Sequence, residues 1–188
     1  MVQTPVKPLT LETFLAMPDT KPASEFINGK ILQKPMPQGE HSILQRDLCF
    51  AITQSLKPDK LGAAFPELRC SFGGRAVVPD VTVFRDDRIP RKPNGRIENI
   101  VSIAPDWTIE ILSPDQSQTK VIRNILHCIE HGTSMGWLID PEESCIFVYN
   151  EAGTVKMFDQ SEDQLPIPEE FAAAVQLSVG EIFGWLVV

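Results

Sequence analysis

Apolar positions along the chain switch between helical and strand spacing, and each switch predicts an element. Thr10 heads a run with Leu11, Phe14 and Leu15 on one side, a short helix capped by the threonine hydroxyl and reaching Met17. Two short apolar runs then flank Asn28-Gly29. Both residues tolerate positive φ, so ASEFINGKILQKP reads as a hairpin with a type I′ turn. From 39 to 56, Leu44, Leu48, Ala51, Ile52 and Leu56 recur at helical spacing and predict a long helix. Residues 63–72 and 75–84 read as strands around Gly73-Gly74, with an interruption, bulge or edge expected at Pro79, which has no N–H for a ladder. Residues 107–112 read as a buried strand stopped by Ser113-Pro114. Val121, Ile122, Ile125, Leu126 and Ile129 form the apolar face of a second long helix over 118–131, with Gly132 as its C-cap. MGWLID, CIFVYN and TVKMFD follow as three short strands, and the tail from 166 to 188 has no clear period.

This order of elements predicts one domain over 1–188, α/β or α+β, with a central mixed sheet flanked by helices and an N-terminal helix and hairpin in front of it. No internal repeat or linker divides it. No apolar run reaches the roughly 18 residues of a membrane helix, and the first residues show no signal-peptide core, so the expected location is cytoplasmic. The four cysteines are widely spaced within apolar patterns, which predicts free thiols. A net charge of −8 argues against loose binding to nucleic acid, which needs clustered Lys and Arg.

The candidate chemistry lies in carboxylates on apolar strands. VVPDVTVF is apolar apart from Asp80 and Thr82. In PDWTIEILSPDQ, alternation places Trp107, Ile109 and Ile111 on one face and Asp106, Thr108, Glu110 and Leu112 on the other. A carboxylate among isoleucines needs a partner or a cation. If the two strands are neighbours, Asp80 and Glu110 come within reach of one divalent ion, and hard cations such as Mg²⁺ take carboxylate oxygens. Pro105-Asp106 reads as a strand start and Pro114-Asp115 as a lead into the helix. There is no G-x-x-x-x-G-K-[ST] or G-x-S-x-G motif.

Several motifs together carry a resemblance: LTLETFLAMPD, the hairpin EFINGKIL, the helix start around His41, P-D in one strand, E-x-L-S-P in the next, a helix ending in H-G, and GWLIDP. The chain resembles the Uma-two family, a group of endonuclease-like proteins also described as a domain of unknown function, in the PD-(D/E)xK restriction-endonuclease-like superfamily. The resemblance implies a restriction-endonuclease-like core and a metal-dependent endonuclease using Mg²⁺ or Mn²⁺, with nucleic acid, DNA above RNA, as substrate. A duplex offers two strands to cut, which suits a homodimer. The resemblance also implies Asp80 and Glu110 as catalytic metal ligands, and points to Glu25, His41 and Gln45 as pocket residues; Ser113 and Asn124 complete the expected pocket. The superfamily lysine two places after the glutamate is missing, since Leu112 stands there. The related family carries its lysine on the following helix, at a position that counts to Asn124 here. Lys120, four residues earlier on the same helix face, is the expected replacement ammonium.

Two other readings stand beside this one. The missing lysine and the acidic charge suit a nuclease fold that has lost its chemistry and serves as a binding module. His127-Cys128-Ile129-Glu130-His131 matches H-x-x-E-H, in which two histidines on adjacent turns share Zn²⁺ and the glutamate acts as base of a zinc hydrolase. The loop between the acid-bearing strands, with Arg85, Arg88, Arg91, Lys92 and Arg96, reads either as a phosphate contact or as a solvated loop.

Overall fold

The computed structural model describes residues 9–114 and 116–187, so Asp115 of the third Pro-Asp pair and the final Val188 lie outside it. Thr10 caps α1 (Leu11–Leu15), its hydroxyl accepting from the Thr13 N–H. The hairpin is β1 (Ser24–Ile27) and β2 (Lys30–Gln33), with Asn28 and Gly29 at φ of 51° and 77°, as a type I′ turn requires. Then come α2 (Gly39–Leu56), β3 (Gly62–Pro66), β4 (Cys70–Phe72), β5 (Arg75–Val77) and β6 (Val81–Arg85). The second half holds β7 (Trp107–Ile111), α3 (Gln118–Glu130), β8 (Met135–Asp140), β9 (Cys145–Asn150), β10 (Val155–Phe158) and α4 (Val179–Gly184).

The expected single sheet divides in two. A four-stranded antiparallel sheet has the order β2-β1-β5-β4, and a six-stranded sheet has the order β10-β9-β8-β7-β6-β3. The latter is mixed: β7 and β8 run parallel and the other pairs antiparallel. The division follows from the sequence at Val78-Pro79-Asp80. Proline cannot donate to a ladder, so pairing stops after β5 and the chain crosses to the large sheet to begin β6. The predicted strand 75–84 is therefore two strands in two sheets.

The helices cover both faces of the large sheet. Leu44, Leu48, Ile52 and Leu56 of α2 pack into the main core with Val81, Val83, Trp107, Ile109, Ile111, Trp137 and Ile139. Trp107 and Trp137 meet edge to face, 4.7 Å between ring centroids, so both are core residues. On the opposite face Val121 and Ile125 of α3 pack on Leu138 and Tyr149. The aperiodic tail closes the main core with Leu165, Phe171, Val175, Leu177 and Ile182. The four cysteines are free thiols. Among the described residues no helix is long and apolar enough to cross a membrane.

Candidate active site

The register of the large sheet brings the two acids together. β6 and β7 pair Val83 with Trp107, Thr82 with Thr108, and Val81 with Ile109. One more step sets Asp80 opposite Glu110. The Ile111 N–H donates to Asp80 Oδ2 at 2.8 Å, so the carboxylate lies against the β7 backbone. Asp80 and Glu110 are 2% and 3% exposed. Two carboxylates buried side by side cannot both stay ionised without a cation.

That cation is Lys34, at the end of the hairpin. Its Nζ donates to Asp80 Oδ1 at 2.6 Å and to the Val78 carbonyl at 2.8 Å, and lies 3.5 Å from Glu110 Oε2. Nothing in the periodicity of β2 marks this lysine. The available signal was positional: Leu32 pairs with Glu25, and Lys34 lies two residues on, on the same face of the hairpin. Lys120, the expected ammonium, is exposed on the wall of the same cleft and makes no ion pair with Asp80 or Glu110. The space between the two acids belongs to Lys34.

The remaining pocket residues close around this triad. His41, early in α2, sets Nε2 3.2 Å from Asp80 Oδ2. Gln45, one turn on, donates from Nε2 to the Asp80 carbonyl at 2.8 Å. These residues are four apart and share a helix face. Glu25 on β1 accepts from the Val78 N–H at 2.9 Å and from Asn124 Nδ2 on α3 at 3.2 and 3.1 Å. Asn124 therefore ties α3 to Glu25 on β1. Ser113 is buried past the end of β7, its N–H donating to Gln116 Oε1 at 3.1 Å, and it lines an adjoining cleft of about 590 Å³ with His41 and Leu112.

The acids titrate in opposite directions. Burial raises the Asp80 carboxyl, but Lys34 and then His41 outweigh it and hold the group well below the usual carboxylate range. Burial dominates at Glu110, with Asp80 and Glu25 adding to it against Lys34, and its carboxyl is raised well above 4.5. Glu25 is raised as well, first by burial. Burial alone would lower Lys34; Asp80, Glu110 and Glu25 together push it above the normal lysine value, so the ammonium is charged at neutral pH.

The donor set fits a hard divalent cation. A carboxylate offers about four lone-pair sites. Asp80 uses three of them, on Lys34, His41 and the Ile111 N–H. Glu110 Oε1 is buried with no hydrogen-bond partner. Mg²⁺ and Mn²⁺ take carboxylate oxygens such as Glu110 Oε1, whereas a site for a soft metal would carry thiolates. The cleft, about 470 Å³, is lined by Glu25, Lys34, Glu110, Ser117, Lys120 and Asn124 among others.

Two other features lie apart from this cluster. The arginine loop is largely tied to its own acids: Arg88 donates to Asp106, Arg91 to Asp86, and Arg85 to Asp87. Asp106 also accepts the Arg85 N–H, so the Pro105-Asp106 pair anchors the loop. His127, Glu130 and His131 gather at the end of α3 and share no hydrogen bond or ion pair with the acid cluster among the described residues.

Comparison with known proteins agrees with the residue-level resemblance. No curated protein matches. A solved structure described as "a putative nuclease belonging to DUF820 from Anabaena variabilis ATCC 29413" is 54% identical to this chain, covers 96% of it over 100% of its own length, and superposes with a TM-score of 0.93. The two share the mixed α/β nuclease fold. The Uma2 family, described as "Putative restriction endonuclease", matches residues 11–180. The chain belongs to the Uma2 family.

Proposed function

We propose that the protein is a metal-dependent endonuclease that hydrolyses phosphodiester bonds, with DNA as the substrate that the family description favours. The observation that carries this reading is the buried triad of Asp80, Glu110 and Lys34, of which Glu110 and Lys34 line the cleft. Asp80 and Glu110 would hold Mg²⁺ or Mn²⁺, which supplies an activated water and neutralises charge on the phosphoryl group. The protein residues account for the rest. Lys34 is a charged ammonium at neutral pH, so it acts as a fixed positive charge toward a phosphate oxygen and not as a base. His41 and Gln45 hold Asp80 by its side chain and its backbone, fixing the carboxylate beside Glu110 and Lys34. Glu25 and Asn124 brace each other on the far wall. Lys120, exposed on the rim, suits a contact with the nucleic-acid backbone. The cavity walls place this positive charge locally, despite the acidic surface as a whole. A homodimer supplies one such site for each strand of a duplex.

The test is incubation of purified protein with supercoiled plasmid, linear DNA and RNA, with Mg²⁺, with Mn²⁺ and with chelator. Metal-dependent cleavage that disappears in both Asp80→Asn and Glu110→Gln is expected. A stoichiometric Mn²⁺ site without cleavage of any substrate would favour the binding-module reading instead.

A further inference from the structure

A second group of ligand-type side chains lies at the other end of α3. One ligand atom from each of His127, Glu130 and His131 lies within 4.8 Å of the other two. The residues are spaced so that two imidazoles and a carboxylate come from consecutive turns. They line neither of the two clefts described above.

Backbone carbonyls fix the tautomer of both imidazoles. His127 Nε2 faces the Phe72 carbonyl at 3.2 Å, and His131 Nδ1 faces the His127 carbonyl at 2.8 Å. A carbonyl oxygen only accepts, so each of these ring nitrogens carries a proton. The lone pairs therefore sit on His127 Nδ1 and His131 Nε2. A backbone carbonyl behind a histidine is also the usual outer partner of a metal-bound ring, fixing its tautomer and orientation. His127 is further fixed by stacking on Phe72, 4.9 Å between centroids at 10°. Gly73 makes room for the pair: a Cβ there would collide with His131 Nε2 and crowd His127 Cε1. Arg75 and Glu130 act on His127 with opposite charge.

We infer that His127, Glu130 and His131 form a binding site for a first-row transition metal, Zn²⁺ above all, at the end of α3 beside the β4–β5 turn. Imidazole nitrogen suits Zn²⁺, Cu²⁺, Ni²⁺ and Co²⁺, while Mg²⁺ prefers all-oxygen sites. Tetrahedral Zn²⁺ with ligands at about 2.0–2.2 Å would draw the three atoms closer together. Glu130 and His131 are exposed and free to make that adjustment. Glu130 serves as a ligand here, not as the base of a hydrolase, and water completes the shell. The site is independent of the nuclease reading and survives its failure.

The test is calorimetric titration of tag-free, chelator-washed protein with Zn²⁺ and with Mg²⁺, backed by the visible spectrum of the Co²⁺ form. One Zn²⁺ per chain is expected, with affinity falling at least about tenfold in His131→Ala and in Glu130→Gln, since losing a ligand costs no less than losing its outer partner. Asp80→Asn should leave the Zn²⁺ site intact, and Zn²⁺ should raise the melting temperature of wild type but not of His131→Ala. His131 is on the surface, so that variant folds. Absence of Zn²⁺ binding, binding unchanged in His131→Ala, or binding lost in Asp80→Asn would each overturn the assignment.

Discussion

Replacing Lys34 by methionine keeps an unbranched side chain, one atom shorter, and removes one charge from among three buried carboxylates. The loss can be bounded from the distances. With an effective dielectric of about 20, unit charges 2.6 Å apart attract by about 6 kcal/mol, and at 3.5 Å by about 5 kcal/mol. These are gross values. The ammonium also gave up its hydration to sit there, and removing one partner of a buried ion pair costs about 3–5 kcal/mol net. Proton uptake by the acids limits the loss. Below pH 3.8 the cost should shrink further: the Asp80 carboxyl is depressed, so the stability it contributes is present above its unfolded pKa and is lost as pH falls through the folded one. Lys120 is the internal control, an exposed lysine on the same cleft with no ion pair to these acids, for which a change within about 0.5 kcal/mol is expected. Urea unfolding followed by circular dichroism at pH 7 and pH 3 measures both variants. If Lys34→Met is no less stable than Lys120→Met at pH 7, Lys34 is not the cation that holds the acid cluster together.

Three further outcomes follow from the same geometry. Glu110 has a raised carboxyl, so the stability it contributes below pH 4.5 is lost as pH rises through its folded pKa; Glu110→Gln should therefore gain stability relative to wild type between pH 4.5 and pH 8 in thermal melts, and a constant difference would refute this. Asn124→Leu strips Glu25 of its side-chain donor and leaves a buried carboxylate on the Val78 N–H alone, a loss of about 1–3 kcal/mol in chemical denaturation. Gly73→Ala combines a left-handed φ of 56° with a collision at His131, so it should destabilise by more than about 1 kcal/mol, with part of the loss recovered in the double variant with His131→Ala.

Much of the fold was legible because local signals and tertiary packing agree. The helix over 39–56 and the strands β8 and β9 have strong periods, and the hairpin has a turn that only a few residue types satisfy. The split into two sheets was harder to read. Pro79 signals an interruption, but where the chain goes next depends on which sheet each strand can complete. The tail has no long period because its apolar residues reach the core partly from turns and partly from the short helix α4. Asp80 and Glu110 stood out as lone charges on apolar strands. Lys34 did not, because a lysine at the end of a short amphipathic strand looks like any solvated residue. Only the pairing of β1 with β2, and the crossing of the chain at Val78-Pro79-Asp80, turn it inward. Pattern along one strand reveals a buried acid, while its counterion comes from a distant segment and is seen only in three dimensions.

The central claim is that the acid–lysine cluster performs hydrolysis. The most direct measurement is the initial rate of Mn²⁺-dependent DNA cleavage for wild type, Glu110→Gln, Lys34→Met and Lys120→Met, each shown to be folded under the assay conditions. The account predicts cleavage by wild type, none above background for Glu110→Gln, a loss of about a hundredfold or more for Lys34→Met, as for removal of a preorganised electrostatic group, and a much smaller loss for Lys120→Met. Cleavage by Glu110→Gln at the wild-type rate, or a larger loss in Lys120→Met than in Lys34→Met, would contradict it.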